Sequence, residues 1–248
     1  MPNRFNTGCS CCNRCEIGFY FSIIDTVVDA FPNAHGNLVT DASLLESDVW
    51  GSSGDKPLDI LYIGMPFSSP PCQPVTLPPT AHIANYVANG GKVLFVVENS
   101  ILCLDTTDVN AFNNFLLYTS SSIRIKDNTT LDPNCQTNTN VVTTAVGIDA
   151  EFQGYYDTLT NGVDQINLGG SNQVTHVTGY NLLMSNDDNS KAVIVWEKVG
   201  KGFWLALGDA NMIDSCIEET GLSFGDAENG KMRTLLKNFC ALRGIDDL

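Results

Sequence analysis

Three apolar runs constrain this chain more than any other feature of it. They are Leu58-Asp59-Ile60-Leu61-Tyr62-Ile63-Gly64, Lys92-Val93-Leu94-Phe95-Val96-Val97 and Phe203-Trp204-Leu205-Ala206-Leu207-Gly208-Asp209. Successive side chains of a strand point to opposite faces, so runs that are apolar at nearly every position fit strands covered on both sides. Such cover comes from helices, and the chain offers them. Residues 81–88 place Ile83, Tyr86 and Val87 on one face, and Asn89-Gly90-Gly91 supplies a helix stop. Residues 105–117 set Val109, Phe112, Leu116 and Leu117 at helical spacing behind an acidic start. Residues 231–242 carry Met232, Leu235, Leu236 and Phe239 on one stripe. Strands alternating with helices predict an α/β fold: a largely parallel sheet flanked by helices, with right-handed crossovers.

Around this frame the pattern is less regular. The spacing of Phe21, Ile24, Val27, Val28 and Phe31 predicts a helix over 19–31, ending at Pro32. Residues 33–56 are polar, punctuated by Gly and Ser, and read as irregular. A Pro-rich loop spans 65–79. Residues 122–185 are rich in Thr, Asn and Gly, with short β-like pieces at 123–125, 141–142 and 174–177. Residues 192–197 and 203–209 read as a strand pair around the tight turn Gly200-Lys201-Gly202. The expected division is a Cys-rich N-terminal arm and helix over 1–35, then an α/β domain over 36–248, in which 126–180 is an insertion or a β-rich flank.

At 248 residues with 43% hydrophobic side chains, the chain is large enough for a real core. Its formal charge of −15, with only 13 basic residues and no run among them, argues against binding a nucleic-acid backbone. No stretch has the length and apolarity of a membrane span, and the start at Met1 shows no apolar segment of the signal-peptide kind.

Nine cysteines are unevenly spread. Cys9, Cys11, Cys12 and Cys15 fall within seven residues. Four thiolates can hold a structural metal such as zinc, but a single ion usually draws two pairs from separate turns. The cluster reads equally as local disulfides, linkage to another chain, or free thiols. Cys103 and Cys240 suit buried, inert thiols. Cys72 and Cys135 lie in Pro- or Asn-rich loops where disulfides fit, and an odd total leaves at least one thiol unpaired within the chain.

In a parallel sheet, ligands bind outside the carboxyl ends of the strands. That rim would carry Pro66–Ser68, Glu98, Asn99, Ser100, Asp209 and Asn211. Glu98, Asp209 and Asp214 could form an oxygen-rich cation site, although acidic residues after strands also cap helices. For nucleophilic catalysis the only Cys–His pair to consider is Cys103 with His176, and a buried thiol beside a half-exposed strand histidine is the plainer account.

The segments 58–66, Asn89-Gly90-Gly91-Lys92-Val93-Leu94 and Gly200-Lys201-Gly202 through Gly208-Asp209, with the closing helix 232–242, together resemble class I glutamine-amidotransferase-like domains. The likeness is to the uncharacterised bacterial and gliding-motility or flagellar-transport relatives. Leu159-Thr160-Asn161-Gly162-Val163 is similar to a short passage those domains carry before their last strands. The resemblance implies a flavodoxin-like α/β fold over about 58–242. It also implies a catalytic Cys on a Gly-flanked strand-to-helix turn, followed later by a His and a Glu. Here the turn reads Glu98-Asn99-Ser100-Ile101-Leu102-Cys103, without Gly. The late position offers Asp209-Ala210-Asn211-Met212, and no His follows His176. The expectation is therefore a non-catalytic protein.

The cysteine-dense opening is similar to those of some phage tail-associated proteins. The first expectation for function is a structural or interaction subunit of an extracellular or virion assembly, with protein partners or self-association through the N-terminal arm; a cytoplasmic location is the alternative. The second is a binding module for a glycan or small polar ligand at the strand-end crevice, with Tyr155 or Tyr156 nearby. The third is an unusual hydrolase.

Overall fold

A computed structural model describes residues 16–20, 35–38, 60–64, 77–97, 106–126, 136–141, 148–163, 165–168, 171–185, 190–208 and 226–242. The two runs Ile60–Gly64 (β3) and Lys92–Val96 (β4) are strands buried at every position, as their two-sided apolarity predicts. They pair in parallel, Ile60 opposite Lys92 and Gly64 opposite Val96. The third run, Gly202–Leu207 (β11), pairs in parallel with the other side of β4, Leu205 opposite Leu94.

Helices cover both faces. Thr80–Ala88 (α1) and Thr106–Tyr118 (α2) lie on one. There Ile83, Tyr86, Val87, Phe112, Phe115 and Leu116 pack on Leu61, Ile63, Val93, Phe95 and Trp204. Phe95 meets Phe112 and Trp204 edge-on, with ring centres 5.9 and 6.3 Å apart. Ala150–Thr160 (α3) and Asp226–Ala241 (α4) lie on the other face. Here Tyr155, Tyr156, Leu159, Leu235, Leu236 and Phe239 pack on Ile60, Tyr62, Leu94, Trp196, Phe203 and Leu205. Alternate residues of β3, β4 and β11 thus serve opposite cores, which is why no polar position interrupts them. Among the described residues, no helix is long and apolar enough to cross a membrane.

Among the described residues the main sheet has seven strands in the order β2-β1-β3-β4-β11-β10-β9. β1 (Glu16–Tyr20) and β2 (His35–Leu38) extend the parallel part, Ile17 opposite Ile60 and Glu16 opposite His35. This corrects two expectations. Residues 16–20 are a strand where an arm and the start of a helix were expected, and 35–38 are a strand inside the stretch read as irregular. Ile17 and Phe19 alternate as well as they fit a helix, and an unpaired β3 edge favours the extended form. Both strands join the main sheet.

At the far side β10 (Ala192–Val199) pairs antiparallel with β11, and β9 (Tyr180–Met184) antiparallel with β10. The sheet is therefore mixed. The sequence pattern anticipates β3, β4 and the β10–β11 strand pair, and not β1, β2 or β9.

Residues 122–185 hold more than short β pieces. β5 (Arg124–Ile125) pairs with β8 (Val174–Thr175), β6 (Gln136–Val141) pairs with β7 (Gln165–Leu168), and α3 lies between β6 and β7. The helix α3 lies within the stretch expected to be an insertion or a β-rich flank. Phe152, Tyr155, Tyr156 and Leu159 have helical spacing, but Gly154 and the surrounding polar residues hide it.

The glycine motifs are explained by close backbone approach. Gly90 (φ 113°) and Gly91 close α1, donating to the Val87 and Tyr86 carbonyls at 3.0 and 2.9 Å. Gly200 takes φ 59° in the β10–β11 turn. A side chain on Gly202 would stand 2.2 Å from the Gly91 oxygen and 2.3 Å from that of Val87. The two motifs thus pack on each other, joined by the Phe203 N–H to the Gly91 carbonyl at 3.1 Å. Beside them the buried Lys92 ammonium donates to the Cys240 carbonyl, meeting an orphaned acceptor in the last turn of α4.

Candidate functional site

The strand order reverses between β1 and β3: β2 follows on one side, β4 on the other. In open sheets with helices on both faces, such a reversal opens a crevice at the carboxyl ends of the strands. At β3 that end is Gly64. Tyr62 folds along its own strand towards it, its Oη lying 2.3 Å from where a Gly64 side chain would start. The missing Cβ is what lets the phenol reach the strand end.

At β4 and β11 the parallel ladder continues one step further, the Val97 N–H donating to the Leu207 carbonyl at 3.0 Å. Gly208 follows, donating to the Val193 carbonyl at 2.8 Å. Over it passes Asn172, whose N–H donates to the Gly208 carbonyl at 2.7 Å and whose own oxygen occupies the place of a Gly208 side chain, 2.2 Å away. Residues 171 and 172 therefore lie across the sheet at this edge. Ser171 and Asn172 are buried there, and among the described residues the Ser171 hydroxyl has no hydrogen-bond partner. An enclosed hydroxyl left unmatched costs about 1–3 kcal/mol, so it stands out at a strand-end position.

Glu98, Asn99, Asp209, Asn211 and Asp214 lie outside the described residues, as do Cys9, Cys11, Cys12, Cys15 and Cys103. Among the described residues no group of three or more His, Cys, Asp or Glu could hold a metal ion. Cys240 is a buried free thiol, as its place on an apolar stripe suggests. Tyr155 and Tyr156 are core residues of α3, so neither lines an open crevice. The residues that sequence reasoning missed are Ser171 and Asn172, hidden by the small polar string Gly169-Gly170-Ser171-Asn172, which reads as loop.

A second polar cluster occupies the amino-end side of the sheet. Glu197 of β10 is buried, and its carboxylate accepts from the Ser121 hydroxyl at 2.7 Å, the Ser122 N–H at 2.9 and 3.1 Å, and the Thr178 hydroxyl. His176 stands near this turn, its Nε2 2.9 Å from Asn181 Oδ1. At the start of β9, burial raises the Tyr180 phenol above its ordinary pKa and the charge of Asp149 adds to the effect.

No family model matches this sequence, and no curated protein matches it. Solved structures do. The chain is similar to Cytoplasmic Protein STM3548 from Salmonella typhimurium, with TM-score 0.51, 11% identity, and 93% of this chain and 98% of that one covered. It is similar to Cytoplasmic Protein STM1381 from Salmonella typhimurium LT2 at TM-score 0.50 and 12% identity, covering 93% and 99%. A beta-galactosidase from Bacillus circulans sp. alkalophilus matches at TM-score 0.43 and 14% identity, over 84% of this chain and 31% of that one. The two Salmonella proteins share the α/β fold along their whole length, and the third is too distant to add to it.

Proposed function

We propose that this chain is a non-catalytic binding module that takes a small polar ligand at the carboxyl ends of its parallel strands. One observation carries the reading: the reversal of strand order between β1 and β3, the place where sheets of this architecture bind ligands. The unmatched Ser171 hydroxyl at the same edge supports it. So do Glu98, Asn99, Asp209 and Asn211, which directly follow β4 and β11 in the sequence. The finer fold assignment proposed with it is the glutamine-amidotransferase-like one, without its Cys, His and Glu. The proposed location is cytoplasmic, the description that both Salmonella neighbours carry in their names.

A second reading, an interaction subunit of a larger assembly, is favoured by the exposure of Leu117 (53%), Tyr118 (67%) and Val177 (84%). One set of samples tests both. Isothermal titration with a panel of neutral sugars, amino acids and nucleosides is run on the wild type and on Ser171→Val. A ligand with Kd below about 1 mM, lost or weakened in the variant, supports the binding module. Binding unaltered by the variant, or absent across the panel, counts against it. Light scattering on the same wild-type protein shows a stable oligomer if the assembly reading holds. Deleting residues 1–35 is not a usable control, because it removes β1 from beside β3.

A further inference from the structure

We propose that residues 121–126 and 174–179 form a strap that Glu197 latches onto the sheet, and that the strap opens as one unit while the sheet stays folded. The two segments belong to a separate ribbon of two residue pairs, Arg124 with Thr175 and Ile125 with Val174. β5 packs on α2 and β8 on β10, so the strap covers the flank of both. Few backbone bonds hold it. It is fastened at three places, one by a backbone hydrogen bond and two by side chains. Near the carboxyl edge, the Lys126 N–H donates to the Gln173 carbonyl at 2.9 Å, next to the Asn172 crossing. In the middle, Asn113 of α2 holds Ile125 from both sides, accepting its N–H at 2.8 Å and donating to its carbonyl at 2.9 Å. At the other end is Glu197.

That last fastening joins the two segments to the sheet and to each other. Ser121 and Ser122 come from the first segment and Thr178 from the second, and all three donate to the one carboxylate. The Ser122 Oγ in turn accepts the N–H groups of Val177 and Thr178 at 3.1 and 2.9 Å. Neither segment can leave without unmaking the bonds of the other, so the two open together. Every partner of the carboxylate is a donor. An amide at position 197 would turn one acceptor into a donor facing the Ser122 N–H, so Glu197→Gln weakens the latch while conserving shape. Opening exposes Ile123, Ile125 and Val174, which are otherwise buried against α2 and β10.

The test is amide hydrogen exchange, residue by residue, on the wild type, Glu197→Gln and Thr178→Val. The strap amides of Ile125, Lys126, Val177 and Thr178 are expected to exchange about tenfold faster or more in Glu197→Gln, and by a smaller factor in Thr178→Val. The sheet amides of Val97, Phe203 and Gly208 keep wild-type protection. Faster exchange spread evenly over strap and sheet would overturn the proposal, because Glu197 would then belong to the global core. So would unchanged strap exchange in both variants. If Glu197→Gln does not fold, Thr178→Val, which removes one donor and keeps the carboxylate, decides alone.

Discussion

At the scale of single residues, the glycines mark where one backbone must approach another. Asn89-Gly90-Gly91 and Gly200-Lys201-Gly202 can be picked out of the sequence as motifs, but nothing in it says that they touch. Each is locally a turn signal, and only the β4–β11 pairing brings Gly202 against the carbonyls of Val87 and Gly91. Gly202→Ala is therefore expected to lower stability by about 1–3 kcal/mol, since the atoms in the way are backbone and cannot swing aside. Ser120 is the opposite case. It closes α2 with φ 65° and would be relieved by glycine, so Ser120→Gly is expected to gain about 1 kcal/mol. Urea denaturation of both variants checks the pair. Ser171 shows what residue-level reading misses: a serine beside Gly169-Gly170 looks like loop, and its burial depends on a crossing fixed by residues elsewhere in the chain.

At the scale of elements, the strands that could be recognised are those whose two faces are both buried. Their apolarity is continuous and needs no partner to be seen. The helices α1, α2 and α4 were also visible, because their apolar stripes stand among polar positions. The failures have a common cause. β1 and β2 are short, and pairing decides them more than composition does. In α3 the stripe Phe152, Tyr155, Tyr156 and Leu159 is present, but Gly154 and a Thr- and Asn-rich setting mask it. That helix supplies much of the cover on its face of the sheet. Leu159 is fully buried among α3, α4 and the strands. Leu159→Ala is expected to cost about 2–5 kcal/mol in denaturant unfolding, as for a leucine at the centre of a core. A cost below 1 kcal/mol would mean that α3 does not cover the sheet.

At the scale of the whole molecule, the parallel part of the sheet brings several strand ends to one edge, and the antiparallel hairpins β9-β10-β11 complete the sheet beyond it. The edge is where the proposed ligand site lies, and its composition was only half predictable. The acidic and amide residues after β4 and β11 follow from the strand boundaries. The reversal between β1 and β3 and the crossing of Ser171-Asn172 depend on contacts between distant parts of the chain, which periodicity does not encode. The ligand proposal stands on that edge being assembled as described. Scalar couplings across hydrogen bonds, measured by NMR on deuterated protein, read it directly. The account predicts couplings from the Val97 N–H to the Leu207 carbonyl and from the Asn172 N–H to the Gly208 carbonyl. Coupling of either amide to a different carbonyl, or free exchange of Val97 with solvent, would contradict it.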